Sequence, residues 1–178
     1  MYNEAMLQLS EFLYNRPVLS LRTGGQVATA IAPIINTKNL KIEGFYCEDT
    51  LEKKKRLVLL SQDVREATRR GFIIDDYDVL AEPDDLVRLR SVLELAFDIL
   101  KKPVETVSHE RVGKVTDYAT EMTTLYVQKL YVAQPIWKSL TGGSLSVDRT
   151  QINEVTPKLI VINDLLQPES TPATAVAA

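Results

Sequence analysis

Cysteine, histidine and tryptophan each occur once in the 178 residues. A lone cysteine, Cys47, cannot form an intrachain disulfide or a thiolate metal cluster, and it fits a reducing compartment. A lone histidine, His109, would need every other member of a metal site or proton relay from elsewhere, and in Ser-His-Glu-Arg it reads as a turn residue. No stretch approaches the ~20 apolar residues of a membrane helix. The first residues lack the basic start and apolar core of a signal peptide. The expected compartment is therefore the cytoplasm, with no membrane partner. Charge of one sign is scarce too. The formal net charge is -3, with 12 basic and 14 acidic side chains in residues 1–89 against 9 and 10 in residues 90–178. Neither half is a basic module, so bulk electrostatics do not favour nucleic acid.

The remaining reactive groups do not assemble into chemistry. Cys47 follows Phe45 and Tyr46 in a β-rich stretch, and a nucleophilic thiol needs an activating base that the lone histidine does not offer nearby in sequence. Asp75, Asp76 and Asp78 form a short acidic run without the central glycine and later glutamate of a calcium loop. They read as solvated turn carboxylates. Gly24-Gly25 and Gly142-Gly143 stand without a phosphate-loop lysine or a strand–turn–helix context and read as turns. With no set of nucleophile, base and oxyanion donor in view, the expectation is a protein that is not an enzyme, with no metal, cofactor or small-molecule substrate.

What the chain does have is pattern. Residues 82–103, EPDDLVRLRSVLELAFDILKKP, read as an amphipathic helix over 83–102. Pro83 suits a first turn, Asp84 and Asp85 complement the positive end and Lys101 and Lys102 the negative end. Leu86, Leu89, Leu93, Ala96, Phe97 and Leu100 recur at three- and four-residue steps. On either side lie short apolar stretches separated by turn residues: turns at 23–25 and 37–39, and β-rich segments at 42–46, 57–60 and 72–74. The two sides resemble each other. Pro17-Val18 matches Pro103-Val104 at an offset of 86, Val27, Ile42 and Tyr46 match Val112, Val127 and Tyr131 at 85, and Val64-Arg65-Glu66 and Ile73-Ile74-Asp75 match Ile152-Asn153-Glu154 and Val161-Ile162-Asn163 at 88. Such a series implies two copies of one β unit. The expected organisation is a lead-in over 1–15, a first β domain over 16–82, the connecting helix, a second β domain over 103–167, and a disordered Ala-, Thr- and Pro-rich tail over 168–178.

The copies differ most in one loop. After Tyr46 the first carries CEDTLEKKKR; after Tyr131 the second carries AQPIWKSLTGGS. An apolar loop in place of a charged one points to a covered surface, the cover being either the chain's own connecting helix or sister barrel, or a partner; in the second case Ile136, Trp137 and Leu140 are the candidate protein interface. Lys53, Lys54, Lys55 and Arg56, joined by Arg65, Arg69 and Arg70, are the candidate phosphate-contacting patch, with Glu48, Asp49 and Glu52 opposing its field.

The entry of the second copy, PVETVSHERVGKVTDYA with Val112-Gly113-Lys114-Val115 and Asp117, resembles the PRC-barrel family. The first copy has the weaker PVLSLRTGGQVATAIAP, with Ala28-Thr29-Ala30 in place of Gly-Lys-Val, and the later LVLLSQDVREATRRGFIID is similar to the family's strand–Asp–Val-Arg–strand pattern. The resemblance implies an all-β protein of two small barrels in tandem, joined by the helix. It also implies a non-catalytic cytoplasmic module that docks to a protein partner or to itself. PRC-barrels occur in the H subunit of the photosynthetic reaction centre and in the small-subunit ribosome maturation factor. Association with RNA or ribosome assembly through the basic patch is therefore the alternative.

Overall fold

The alternation of buried and exposed side chains is strongest in two pairs of long strands, and these form the centre of the molecule. The computed structural model describes residues 7–135 and 143–164. Half of those residues are in strands. After β1 (Leu7–Leu9) and a 3-10 turn (Ser10–Leu13), the first half contains β2 (Arg16–Ser20), β3 (Gln26–Asn36), β4 (Lys41–Asp49), β5 (Arg56–Leu60), β6 (Glu66–Thr68) and β7 (Gly71–Ile74). The second half contains β8 (Pro103–Thr106), β9 (Arg111–Glu121), β10 (Tyr126–Ala133), β11 (Ser144–Asp148), β12 (Ile152–Val155) and β13 (Ile160–Ile162).

The second half repeats the first strand for strand. β2–β3–β4–β5 is an antiparallel meander, β7 returns parallel to β2, and β6 pairs with β7. β8 to β13 have the same pairings. The irregularities repeat as well. The register shift at Val18/Leu19 recurs at Val104/Glu105. The shifts at Ala30/Ala32 and Ile34/Ile35 face those of β10 at Tyr131/Val132 and Val127/Lys129 in the same places. Leu40 and Leu125 both close their hairpins at a φ of 57°, and Asn15 and Lys101, just before β2 and β8, stand at 52° and 66°. Left-handed leucine is unfavourable, so finding it twice at one offset marks a backbone path that packing dictates. Gly71, at a φ of 149°, lets β7 approach β2, since a Cβ there would lie 2.1 Å from the Pro17 carbonyl oxygen.

The halves join where the repeats face each other. Tyr126 of β10 pairs with Lys41 of β4. The Ile42 N–H donates to Leu125 O at 2.8 Å and the Val127 N–H to Leu40 O at 3.0 Å, so equivalent residues exchange bonds across a pseudo-twofold axis. Each half is also covered by the segment that precedes the other. β1 adds to β9, pairing Leu7 with Glu121 and Leu9 with Ala119. The short helix α1 (Arg90–Leu95), ahead of β8, packs on β3, and the Tyr46 hydroxyl donates to Leu93 O at 3.3 Å. One continuous apolar core results, running from Leu13 and Val18 to Ile160 and Ile162.

Two expectations are corrected. The tandem barrels are one open, mixed, 13-stranded sheet. β5 ends on an isolated bridge to Ala81 rather than on β6, so the ladder does not close, and the β4/β10 contact makes the halves continuous. The amphipathic helix over 83–102 is also absent. Pro83–Asp85 and Val87–Leu89 are 3-10 turns, α1 has six residues, and Ala96 at a φ of 43° ends it. The physical reason lies in the repeat. Ile99 fills the place of Leu13, both fully buried, and Lys101 the place of Asn15, so 96–102 must follow the path of the lead-in rather than a helix. Burial there alternates, Phe97 in, Asp98 out, Ile99 in. A six-residue helix without a side-chain cap has little intrinsic stability and is held by its tertiary contacts.

Candidate docking surfaces

The strand directions decide where loops gather. β4 and β10 meet antiparallel at their first residues, so their last residues, Asp49 and Ala133, point in opposite directions. At the end of the first half, the β2–β3 turn and the β4–β5 loop flank the start of β3, tied by Thr50 N–H donating to Val27 O at 3.2 Å. Leu51 is 92% exposed on the loop and Leu21 is 63% exposed on the turn. Val107, the counterpart of Leu21 in the second half, is 43% exposed. Leu21 and Val107 thus face water at matching places of the two halves; Val87, at 68%, is exposed elsewhere.

Beneath them the polar groups are anchored. The Asp49 carboxylate accepts from the Leu51 and Glu52 N–H groups at 2.7 and 2.9 Å and from the Tyr77 hydroxyl at 2.5 Å. The Tyr77 bond, then the backbone donors, hold its carboxyl below the ordinary value. Asp76 accepts from Ser20 Oγ and from Arg22, and Asp164, at the equivalent place, from Ser108 Oγ.

The basic candidates do not come together. Lys53, Lys54 and Arg56 are exposed at the first tip, where Lys55 lies 3.5 Å from Glu82. Arg65 is held in a two-pronged pair with Asp75 at 2.8 and 2.6 Å. Arg69 and Arg70 sit in the β6–β7 turn, at the opposite end of that hairpin from Arg65, where Arg16 donates to the Thr68 and Arg69 carbonyls. Ile136, Trp137 and Leu140 lie outside the described residues, as does the tail 168–178.

The reactive groups are quiet. The Cys47 thiol is buried, and burial pushes it up to about 12, which disfavours the thiolate. His109 is an exposed turn residue at a φ of 63°, its N–H donating to Thr106 O at 2.9 Å. Asp75 and Asp76 are occupied as above. Among the described residues no group of three or more His, Cys, Asp or Glu could hold a metal, and no helix is long and apolar enough to cross a membrane.

One surface escaped the sequence reading. Over β8, β9 and the end of β10 lies a cavity of about 590 Å³. Pro103, Ala133, Pro135 and Leu159 line it, with Arg111, Lys114 and Lys158 at its edge. Its cations come from three places in the chain, so no basic run betrays them. Gly113 forms part of its wall, and a Cβ there would lie 2.0 Å from the Ala133 carbonyl oxygen. Neither a known family nor a curated protein matches this chain in sequence.

Proposed function

We propose that the chain is a non-catalytic docking protein related to the PRC-barrel family, with its two repeats joined in one open sheet, acting in the cytoplasm and binding a protein partner or a second copy of itself. The observation that carries this reading is the exposure of Leu21 and Leu51 together at the first tip, with Val107 at the matching place of the other half. Apolar side chains held out on anchored loops gain by being covered, at roughly 25 cal/mol per Å² of apolar surface removed from water. The family likeness is supported by the repeat itself and by Gly113, the glycine of the Val112-Gly113-Lys114-Val115 motif, which the close approach of Ala133 requires. The RNA alternative loses support from the dispersal of its arginines, one bound to Asp75 and two at the other end of the β6–β7 hairpin.

The test is solution mass by light scattering at low and high salt, with the absorbance spectrum taken on the same peak, followed by partner capture. Association that survives high salt and is lost in Leu21→Ser/Leu51→Ser, with the melting temperature of that variant unchanged, supports docking. Nucleic acid that travels with the protein and is released by salt overturns it in favour of RNA. A monomer that captures nothing overturns both.

A further inference from the structure

We infer that the cavity over β8, β9 and the end of β10 is a peptide site, which receives an extended segment of the protein partner carrying acidic and aliphatic side chains. The inference rests on the docking reading above and adds the site and the chemistry of the partner.

The comparison between halves isolates what the fold does not need. Both halves build the same backbone here, so the registers give each lining residue a counterpart. Arg111 and Lys114 stand where the first half has Gln26 and Thr29, and Lys158 where it has Arg70. Ala133 stands where the first half has Glu48, and Gln134 where it has Asp49. The second half thus lines this surface with three cations and one anion, Glu105; the matching positions of the first half hold one cation and two anions. Since the first half folds without them, the added cations are not demanded by the strands.

The volume, about 590 Å³, is that of a ligand-sized cleft. The lining gives it direction. Pro103, Ala133, Pro135 and Leu159 offer aliphatic surface, and the exposed ammonium groups of Lys114 and Lys158 select for carboxylates.

The probe is a phage-displayed library of random twelve-residue peptides, panned on the full chain. The expected winners combine Asp or Glu with Leu, Ile or Val. Synthesised, they bind with a Kd that weakens as salt rises, and at least tenfold more weakly to Lys114→Glu/Lys158→Glu. Ala133→Glu, which installs the first half's residue, gives the same loss, and Lys53→Glu/Lys54→Glu, in the other half, gives none. Unchanged melting temperatures separate lost binding from lost fold. Failure to enrich any peptide, a neutral or basic consensus, equal binding to the variants, or displacement of every peptide by sodium decanoate that itself titrates at Lys114 and Lys158 overturns the inference. If it fails while partner capture through Leu21 and Leu51 holds, the docking reading stands and only this site falls. If nucleic acid is what the protein carries, both fall.

Discussion

Where the first half packs Phe45 against Phe72, ring centroids 4.3 Å apart, the second places Leu130 and Ile160. Where the first has Ala28 and Ala30 on β3, the second has Gly113 and Val115 on β9. Thr120 takes the place of Ile35, and Ser146, exposed, that of Val58, which the Ala81 bridge covers. Val18 and Val104, Leu40 and Leu125, and Ile74 and Ile162 are shared, but most other core positions carry different side chains. The register shifts, the left-handed hairpin leucines and the parallel return of the last strand are shared. Core identity is exchangeable so long as volume and pattern are kept; the backbone irregularities fix the path.

The largest effect comes from cutting either core. Phe45→Ala removes half of the aromatic pair and leaves a cavity, and it should cost about 3–5 kcal/mol; Leu130→Ala, its counterpart, about 2–5 kcal/mol. Because the buried residues form one cluster, both variants should lower a single calorimetric transition rather than one of two. Two separable transitions, each moved by only one variant, would make the halves independent domains and break the comparison.

A subtler exchange tests whether equivalent strands have equal room. Gly113→Ala should cost about 1–3 kcal/mol by denaturant titration, because its methyl would enter the Ala133 carbonyl and β10 must shift. Ala28→Gly, the reverse swap in the first half, relieves no clash and should lose only about 1 kcal/mol, from strand entropy and one buried methyl. Equal costs would mean that β9 and β10 are no closer than β3 and β4.

How much of this was legible beforehand follows the same division. Offsets of 85 to 88 between Val18 and Val104, Ile42 and Val127, or Ile74 and Ile162 are visible in letters because buried strand positions keep apolar residues. They return as strand pairings. Residues 83–102 misled for the opposite reason: Leu89, Leu93 and Phe97 do fall at helical spacing, but the packing of Ile99 in the place of Leu13 outweighs propensity. Closure into barrels was not legible either, since it turns on whether β5 meets β6 or Ala81, which neither strand's composition states. At the surface, a contiguous run such as Lys53 to Arg56 draws the eye, whereas Arg111, Lys114 and Lys158 become neighbours only through the β8–β9 and β8–β13 pairings.

Thr120 sharpens the comparison in the stabilising direction. It is fully buried, and its hydroxyl finds no partner among the described residues, at the position where the first half buries Ile35. An unsatisfied buried hydroxyl costs about 1–3 kcal/mol. Thr120→Val keeps the shape, removes the hydroxyl and should raise the melting temperature by about 2–4 °C for each kcal/mol recovered. A fall instead would mean that the hydroxyl is bonded in solution, and that the second core needs a polar group that the first does without.

The smallest expected shifts lie at the turns before β3 and β9, where one aspartate does one job by two means. Asp76 is held below the ordinary carboxylate value by the Tyr77 N–H first and then by Arg22, whose guanidinium lies 2.8 Å away and is mostly exposed. Asp164 is held down chiefly by the Ser108 hydroxyl, at 2.8 Å, with no cation involved. Both folded values lie below the unfolded one. Their stabilisation is therefore complete above the unfolded carboxylate range, near pH 4, and is lost as pH falls through the folded values. Asp76→Asn and Asp164→Asn should each flatten the acid limb of a stability profile. They should part at neutral pH when salt is raised: an exposed ion pair is screened within about 10 Å at 0.1 M ionic strength, whereas a hydroxyl donor is not. The cost of Asp76→Asn should shrink in salt and that of Asp164→Asn should stay constant, as read from paired melting curves. Identical salt dependence would show that Arg22 contributes nothing to its turn, and that the two halves are capped by the same hydrogen-bond chemistry after all.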